Sequence, residues 1–571
     1  MLEKKESGTM LSADTSSSVR SMAAKAKVAT FIDSFRRAEV PPVSDIEANS
    51  GGPPIVPSLP LENSLKDRHV QMIAIAGCVG TGLFISLGTA LAQAGPAGLI
   101  ISYGVVSVLL YFIVQSLGQL SSTFPTQGNF LAYNTRFLDE SWGFAMNWNY
   151  CLQWMVTLPL SLVSASLTIE YWGSEINTVV WVAIFYVFIC GINIFGVKGY
   201  GEGEFIFSLI KVVAIVGFCI LAVILICGGS PNHMGYIGAR YWHHPGAFAT
   251  GFKGVCSVFV NAAFSFAGTE LCALAAANAE NPKTAMPKAV KQVFWRILIF
   301  YLLSTILICF LVPSNSPDLF TGSASSTSPF VIAIKSSGIR VLPSIFNVVI
   351  LISVLSVANA SVFATSRPLV ALAEAGHGPK ILLYIDRKGR PMAALLFTFA
   401  FGLISFVSAS SKQAEVFNWL LAISGLAAIF TWLSISLAQL RVSHACKVQG
   451  VSKEEFPFLA TGGDYGAWFS IIINVLILIA QFYVGLYPVG GPDLNIKVFL
   501  QVYLCAPVVL VFYVGHKLYT RNWKLYIRAE DMDITTGRRV VDLDVLLQER
   551  EEERREWAER PWYYRLYNTW C

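Results

Sequence analysis

Apolar stretches close to the length that crosses a lipid bilayer recur through most of this 571-residue chain. A helix of about 20 apolar residues covers the roughly 30 Å of hydrocarbon, and lipid offers no partner for the exposed backbone groups of an irregular segment. We therefore predict an all-α integral membrane protein. The twelve predicted transmembrane helices are Val70–Ala94, Ala97–Leu120, Trp142–Tyr171, Thr178–Phe195, Glu204–Cys227, Val255–Ala277, Trp295–Val312, Leu342–Val370, Met392–Ser408, Val416–Leu440, Tyr465–Leu486 and Ile496–Leu518.

Polar segments flank the apolar region. Charged residues make up only 13% of the chain, against about 25% in soluble domains, which excludes an ordinary soluble protein. We divide the chain into an N-terminal tail, 1–66, a membrane domain, 67–519, and a C-terminal tail, 520–571. In the first tail, Val28–Arg37 is apolar on one helical face, and it either rests on the membrane surface or forms a transient helix. The charged run Gln548–Arg560 favours a solvated helix.

The distribution of basic residues predicts the orientation. An even number of spans places both tails on one side, and Lys and Arg mark the cytoplasmic side. They cluster in the connections after the sixth and eighth spans, at Lys283, Lys288, Lys291, Arg296, Lys380, Arg387, Lys388 and Arg390. Both termini are therefore predicted to be cytoplasmic. The net charge of +5 is small and forms no basic stripe, which argues against nucleic acid as a partner.

Two of the predicted helices contain glycine-rich interruptions. The first span carries Gly77-Cys78-Val79-Gly80-Thr81-Gly82, and the sixth carries Ser265-Phe266-Ala267-Gly268-Thr269-Glu270. Glycine lets the backbone unwind, and unwound backbone at membrane depth needs a polar partner. A half-helix N-terminus presents N–H groups to a carboxylate, and exposed carbonyl groups accept from an ammonium. The presence of two such interruptions favours a binding site for a small charged solute. The alternative is packing between straight helices, which also uses small residues.

The two interruptions also resemble each other. Gly80-Thr81-Gly82-Leu83 and Gly268-Thr269-Glu270-Leu271 lie five spans apart. This spacing predicts two five-helix repeats of inverted topology, in which helices 1 and 6 are broken.

Ionisable residues inside the spans point to function, because each one costs about 2.5–3.5 kcal/mol at the centre of a membrane helix. Glu270 follows the sixth-span interruption and can carry a proton. Lys211 lies in the fifth span, about two turns from its cytoplasmic end. It either bridges helices in place of a sodium ion or extends its ammonium back to the interface. Glu170, Glu204 and His516 lie near span ends, where we expect interfacial solvation.

The chain shows no signature of catalysis. We find no nucleophile elbow, metal-ligand pair or phosphate-binding loop, and we predict neither an enzyme nor a bound cofactor or metal ion. Among the 11 cysteines, several lie inside apolar runs without disulfide or metal spacing, and we expect them to act as small core residues: Cys78, Cys151, Cys190, Cys219, Cys227 and Cys309.

Several motifs resemble the fungal amino acid permease family of the amino acid-polyamine-organocation superfamily, most closely its general amino acid permease type. They are Leu65–Ile75, Gly80–Phe84, Phe264–Leu271, Glu280–Lys283, Pro287–Arg296, Ser328–Lys335, Asp386–Pro391, Val416–Leu420 and Tyr567–Cys571. The resemblance implies proton-driven uptake (symport) of L-amino acids across the plasma membrane by alternating access. It implies ten core helices in two inverted repeats (5+5) plus two further helices, surrounded by membrane lipids.

The resemblance also implies a binding mode. The amides of Gly80, Thr81 and Gly82 hold the substrate carboxylate. Carbonyl groups around Phe264, Ser265 and Ala267 of the sixth span accept from its ammonium. Phe266 gates the site from outside, and Glu270 lies below it.

Two further expectations come from the resemblance. Lys211 matches the fifth-span lysine that ties the first and eighth helices in proton-coupled relatives. Lysines of the N-terminal tail are candidate sites for a ubiquitin ligase that directs endocytosis: Lys4, Lys5, Lys25 and Lys27.

Two positions depart from the family pattern. Gln119 follows Leu-Gly in the second span, and Ser161 follows Leu-Pro-Leu in the third, where relatives usually carry Glu. The loss of both acids removes negative charge near the pathway and bears against acceptance of Arg and Lys. A rival hypothesis is an amino acid receptor of the same fold that signals without net transport. Such sensors tend to have enlarged N-terminal tails, and the tail here is of ordinary length.

Overall fold

The computed structural model of the chain describes residues 33–38, 72–73, 77–125, 130–233, 235–277, 300–319, 328–409 and 413–538, with a few positions between 551 and 562. These residues form helices and connections, and the only β pairing among them is an isolated bridge. We number the α-helices of this described part α1 Leu87–Thr123, α2 Phe130–Phe137, α3 Glu140–Ile169, α4 Thr178–Ile194, α5 Val197–Ile226, α6 Gly251–Phe266, α7 Leu271–Ala277, α8 Phe300–Leu311, α9 Pro329–Ser336, α10 Leu342–Glu374, α11 Met392–Gly402, α12 Gln413–Val448, α13 Gly463–Leu486, α14 Ile496–Tyr503 and α15 Cys505–Thr520.

Seven helices of the described chain are long and apolar enough to cross a membrane, and α14 with α15 forms an eighth that is bent by 70°. The seven are α3, α5, α10, α12, α13 and the longer helices Gly82–Thr123 and Gly251–Leu274, which contain α1 and α6. The shorter apolar helices α4, α8 and α11 overlap the predicted fourth, seventh and ninth spans. The prediction of an all-helical, multi-pass membrane protein is confirmed.

A corner inside α1 separates the first two predicted spans. Gly95 has a φ of +75°, and Pro96 follows it. A Cβ at Gly95 would lie 2.6 Å from the backbone nitrogen of Ala249, so both the conformation and the space require glycine. Proline begins the next helical turn well, because its φ is preset and the missing N–H would lack a partner there. The N–H of Ala97 donates to the carbonyl of Ala247 at 2.9 Å and holds this corner against the segment before α6.

Helix α5 begins seven residues earlier than predicted. It starts at Val197, directly after Gly196, which has a φ of +89°. Glu204 therefore lies about two turns inside the helix, and Lys211 lies about four turns inside it rather than two. The predicted depth of both residues was wrong, because the Gly-rich polar start of α5 lacks the apolar pattern that marks a membrane helix.

Apolar side chains on the outer helices face away from the bundle. Val213 and Ile220 of α5 are 64% and 60% exposed, and Ile479 of α13 is 58% exposed. Exposed apolar rows of this extent are expected where the surrounding medium is hydrocarbon. In contrast, α3 and α10 are mostly buried and pack along each other at the centre of the bundle.

Residues 33–38 of the N-terminal tail pack on the connection between α10 and α11, to which an isolated antiparallel bridge joins them. The guanidinium of Arg390 donates to the hydroxyl of Ser34 at 3.0 Å and lies 4.4 Å from the centre of the Phe35 ring. Neither expectation for Val28–Arg37 included these contacts with the protein, which depend on residues distant in sequence. The rest of that stretch lies outside the described residues.

The first part of the C-terminal tail also packs on the bundle. Arg136, in α2, donates to the carbonyl of Asp533 at 2.8 Å, and Gln449, after α12, donates to that of Met532 at 2.8 Å. Met532 and Ile534 are buried. The predicted terminal helix lies mostly beyond the part of the chain that the structure describes.

A buried ion pair anchors the connection that receives the N-terminal tail. Arg390 contacts the carboxylate of Asp386 at 2.5 Å, and both side chains are almost fully buried. The same guanidinium donates to the carbonyl of Ile194 at the end of α4. Removing one member of such a pair leaves the other charge buried and uncompensated.

We expect Arg390→Ala to lower the free energy of unfolding by about 3–5 kcal/mol, because Asp386 would remain buried without its cation. Arg387→Ala is the matched control. Its side chain is 43% exposed and pairs with Asp33, a type of contact worth about 0–1 kcal/mol. The melting temperature and the monodisperse fraction of the purified protein measure both effects. Equal losses in the two variants would contradict the assignment.

Candidate functional site at two helix breaks

The first predicted interruption is present in the structure. Val79 and Gly80 bend away from helical geometry, and the helix resumes at Thr81 with a π-helical turn over Gly82–Ser86. The first N–H groups after such a break have no carbonyl partner within the helix. The hydroxyl of Thr81 is buried, and it has no hydrogen-bond partner among the described residues. This helix start therefore presents polar groups in the protein interior.

The second interruption separates α6 from α7. Residues 267–270 form turns, in which Ala267 leaves the helical region with a ψ of 138° and Gly268 has a φ of +103°. Only glycine adopts the latter backbone conformation readily. The predicted break in the sixth span is confirmed.

The two breaks contact each other through their backbones. A Cβ at Gly82 would lie 2.4 Å from the Cα of Ser265, and a Cβ at Gly268 would lie 2.9 Å from the carbonyl carbon of Gly77. These separations leave no room for a side chain. The glycines thus permit close packing of the two broken helices, besides any role toward a ligand.

Two tyrosines connect the broken helices. The hydroxyl of Tyr301 lies 2.7 Å from the carbonyl oxygens of both Cys78 and Ser265, so a single proton is shared between the two breaks. The hydroxyls of Tyr103 and Ser265 are 2.9 Å apart. The ring of Phe266 packs between these tyrosines, with centroid distances of 5.9 Å to Tyr103 and 4.6 Å to Tyr301. This cluster closes one side of the break.

A small cavity lies between the breaks and helices α3, α10 and α12. Its lining residues are Gly77, Cys78, Thr81, Gly82, Trp154, Thr157, Phe264, Ala267, Val357 and Ser424. The space that the centre of a water molecule can reach is about 10 Å³, which is enough for about one water. The site is closed around a volume too small for an amino acid, so a ligand enters only when helices or side chains move.

The structure brings some of the predicted site residues to this cavity. Thr81, Gly82, Phe264 and Ala267 line it. Gly80 lies at the break but packs on α10 instead, where a Cβ would be 2.3 Å from Cγ2 of Val357. The other four predicted residues are not among its lining residues: Ser265, Phe266, Glu270 and Lys211.

Glu270 is buried directly behind the second break. Both of its carboxylate oxygens accept from the N–H of Gly268 at 3.2 Å, and one lies 3.5 Å from the indole nitrogen of Trp432 on α12. Within the described residues no Lys or Arg pairs with it. Burial of an unpaired carboxylate is costly, and binding of a proton removes that cost.

Lys211 and Glu204 belong to one buried network between α5 and α10. The ammonium of Lys211 donates to the hydroxyl of Ser356 at 2.9 Å, and that hydroxyl donates to Glu204 at 2.5 Å. Asn359 donates to the second carboxylate oxygen at 2.6 Å. Both charged side chains are fully buried. Extension of Lys211 to the interface, and interfacial solvation of Glu204, were therefore wrong, because α5 starts earlier than expected.

His516 is a further correction. It is buried, and its Nδ1 lies 2.9 Å from the hydroxyl of Ser141 at the start of α3. The position near a span end was predicted correctly, but α3 covers the ring. Glu170 is exposed at the end of α3, as predicted.

Sequence reasoning missed the part of the cavity wall that uninterrupted helices supply. Trp154 and Thr157 of α3 line it, and the hydroxyl of Thr157 lies 3.0 Å from that of Ser424 on α12. The spacing of three residues places Trp154 and Thr157 on one helix face. However, α3 is buried on nearly all sides, so its pattern does not show which face meets the cavity.

The two departures from the family pattern lie in different environments. Gln119 accepts from the N–H of Ala460 at 3.0 Å and takes part in packing between α1 and the connection after α12, outside the cavity lining. Ser161 follows Thr157 by one turn on α3, and its hydroxyl has no partner among the residues described. Of the two, only Ser161 lies one turn from the cavity wall.

The fold and the closed site define a multi-pass membrane protein with two broken helices around a small polar cavity. The sequence profile of the amino acid permease family matches residues 69–529. The chain belongs to this family.

Curated relatives agree with this assignment. The chain is 50% identical to the general amino-acid permease GAP2 of Candida albicans, over 95% of this chain and 93% of the relative. It is 52% identical to the general amino-acid permease GAP1 of Saccharomyces cerevisiae, over 95% and 91%, and 48% identical to the histidine permease of that yeast, over 95% and 89%. The predicted family is confirmed. Because these relatives are permeases, the prediction that the chain is not an enzyme is confirmed as well.

Gly82→Ala tests the contact between the breaks. We expect it to destabilise the protein by about 1–3 kcal/mol, the usual effect of overpacking, because the new Cβ meets the backbone of Ser265. Gly104→Ala on the same long helix is the control, since nothing lies within 4 Å of its Cβ position. The melting temperature, together with uptake of labelled amino acid at matched surface amounts, measures both variants. Wild-type stability and uptake of Gly82→Ala would show that the broken helices do not need the close contact between Gly82 and Ser265.

Proposed function

We propose that the chain carries L-amino acids into the cell across the plasma membrane by proton-coupled symport. The observation that carries the proposal is the contact of two broken helices around a closed, buried cavity in a member of the amino acid permease family. Relatives at similar identity include general amino-acid permeases and a histidine permease, so identity by itself does not fix the substrate range. Among the described residues that line the cavity none is acidic, which disfavours Arg and Lys as substrates.

The proposal includes twelve membrane spans. Eight follow from helix length, division of Gly82–Thr123 at Gly95 adds one, and the shorter helices α4, α8 and α11 complete twelve. In two inverted five-helix repeats, α3 and α10 are corresponding helices, and their extensive mutual packing supports an axis between them. The remaining two spans, α13 and the pair α14 with α15, follow this core.

Both tails lie at the cytoplasmic side in this proposal. The described parts of the tails pack on the connection after α10 and on the segment before α3, so they share one end of the bundle. Arg387, Lys388 and Arg390 belong to that end, and basic connections favour the cytoplasm. The domain boundaries stay at residues 66 and 519. The proposed ubiquitin acceptors Lys4, Lys5, Lys25 and Lys27 lie outside the described residues.

The amino acid binds with its carboxylate at the helix start after the first break. The N–H groups of Gly80, Thr81 and Gly82 belong to this start, where the helix dipole also favours an anion. The unpartnered hydroxyl of Thr81 is a further donor. The ammonium binds to carbonyl oxygens at the end of α6, around Phe264, Ser265 and Ala267. The carbonyl of Ser265 already accepts from Tyr301 but retains a second lone pair.

Alternating access requires the cavity to open. The present volume admits about one water, so substrate entry needs displacement of the aromatic cluster around Phe266. Phe266 packs between Tyr103 and Tyr301, which also hold the two breaks together. Movement of this ring couples opening of the site to release of the contact between the broken helices.

Proton coupling is assigned to Glu270 and Lys211. Glu270 accepts from the N–H of Gly268 within the break itself, so its charge acts on the backbone that binds the substrate. Lys211 ties α5 to α10 through Ser356, and one turn earlier Ser208 ties α5 to the carbonyl of Met72 in the first span. The ammonium thus occupies a position between helices at which a bound cation would serve a similar function.

Uptake of labelled amino acids into vesicles that contain the purified protein tests this function. We expect accumulation with an inward proton gradient, abolition by a proton ionophore, and no requirement for sodium. Neutral amino acids compete more strongly than Arg or Lys. Binding without accumulation would support the receptor hypothesis and overturn the proposal.

Glu270→Gln is expected to abolish proton-driven accumulation while the protein still folds, because the amide retains the shape of the side chain but cannot exchange a proton. The control is Glu170→Gln, an exposed acid at the end of α3. Accumulation against a gradient and exchange without a gradient are measured separately. Wild-type accumulation by Glu270→Gln would exclude this carboxylate as the proton site.

Lys211→Ala is expected to reduce uptake about tenfold or more at matched surface amounts, because Glu204 would remain buried without its cation and the bridge between α5 and α10 would be lost. Sodium is not expected to restore transport. Lys335→Ala, at an exposed position on α9, is the control. If uptake by Lys211→Ala equalled that of the control, the bridge between α5 and α10 would have no role in transport.

A further inference from the structure

Three side chains with metal-binding atoms converge at the end of the bundle where the tails pack. Glu140 lies at the start of α3, His377 follows the end of α10, and His516 lies in the last turns of α15. One ligand atom from each residue lies within 4.8 Å of the others. These residues are far apart in sequence and belong to no part of the proposed transport site.

We propose that Glu140, His377 and His516 form a binding site for a divalent transition metal ion of the Zn²⁺ class. Two imidazoles and one carboxylate are a donor set that Zn²⁺ accepts, with a fourth position left for water. An ion at the centre of three atoms 4.8 Å apart lies about 2.8 Å from each, and rotations of the side chains suffice to approach the usual 2.0–2.2 Å. Mg²⁺ and Ca²⁺ prefer all-oxygen sites and fit this set poorly.

The ring of His516 and the backbone of His377 are both held by hydrogen bonds to neighbouring residues. Nδ1 of His516 lies 2.9 Å from the hydroxyl of Ser141, which fixes the ring and leaves Nε2 for the ion. The backbone of His377 donates to the carbonyl of Leu372 at 2.9 Å and accepts from the indole of Trp148 at 3.1 Å.

One ring nitrogen lacks a partner. Nδ1 of His377 is buried and forms no hydrogen bond within the described part of the chain. A buried polar atom of this kind is normally satisfied by protein, water or an ion. A metal ion satisfies it directly.

The local charge favours a cation. Lys517 pairs with Asp139 at 2.9 Å, and both are buried, so their charges compensate each other. Glu140 has no ion pair among the described residues and contributes the remaining negative charge. Two imidazoles and one carboxylate thus face the ion, and the neighbouring ammonium of Lys517 is already paired with Asp139.

The ion has a path to this site. A cavity of about 450 Å³ beside the two histidines is lined by Phe144, Phe512 and Tyr519, among others. An ion bound there would link the start of α3, the turn after α10 and the end of α15. These are two central helices and the last helix of the bundle, so metal binding is expected to stabilise their association.

Calorimetric titration of the full-length protein, purified in detergent and freed of metal by a chelator, tests the site with Zn²⁺ alone. We expect one ion per chain, and a melting temperature that rises with Zn²⁺ but not with Mg²⁺. Co²⁺ in place of Zn²⁺ should give the visible absorption bands of a four-coordinate site. No amino acid is present in these measurements, so their outcome is independent of the proposed transport activity.

His377→Ala and His516→Ala should each weaken binding about 100-fold or more, and Ser141→Ala about 10–100-fold, the range for outer-shell partners. His444→Ala, an exposed histidine on α12, should bind as the wild type does. If an alanine variant aggregates, His377→Asn retains a polar side chain of similar size without the imidazole ligand. The proposal is overturned if the wild type binds no Zn²⁺ at micromolar concentrations, or if loss of either His377 or His516 leaves the affinity unchanged.

Discussion

The architecture of the site depends on the backbone contact between two interrupted helices. Gly82 lies against Ser265, and Gly268 lies against Gly77, at separations that a single Cβ would prevent. Interrupted helices expose N–H and carbonyl groups that lipid cannot satisfy, so they persist only where protein or a ligand surrounds them. The shared hydroxyl of Tyr301 and the helices α3, α10 and α12 supply that enclosure.

Buried charged side chains have two kinds of surroundings within the same bundle. Glu204 and Lys211 share Ser356, so each charge is compensated and the network joins α5 to α10. Glu270 accepts from the N–H of Gly268 and lies 3.5 Å from the indole nitrogen of Trp432, and the described residues offer it no cation. A buried charge without a partner is costly, and a hydrogen-bonded partner of opposite charge offsets part of that cost. Lys211 therefore has a buried anion within its network, whereas Glu270 is buried without a cation among the described residues.

Buried polar contacts hold together the end of the bundle on which the described parts of the tails pack. Arg390 connects the buried Asp386, the end of α4 and the N-terminal tail segment. Lys517 and Asp139 form a second buried pair nearby, beside the two histidines. Movements of the central helices during transport would act on these contacts, because α3 and α10 both reach this end. The described parts of both tails pack on this end of the bundle.

The sequence by itself determined the medium, the helical class, the two breaks and the family, because these follow from local properties. Hydrocarbon permits only apolar spans with internally bonded backbone, and repeated glycines mark positions where a helix cannot continue regularly. The depth of Glu204 and Lys211 depended on where α5 begins, and a Gly-rich start gave no apolar signal for it. The cavity face of α3, the partners of the N-terminal tail and the meeting of Glu140 with His377 and His516 depended on helix rotation and on contacts distant in sequence. Such contacts are decided only when the helices pack, because many rotations of a buried helix satisfy the same apolar pattern.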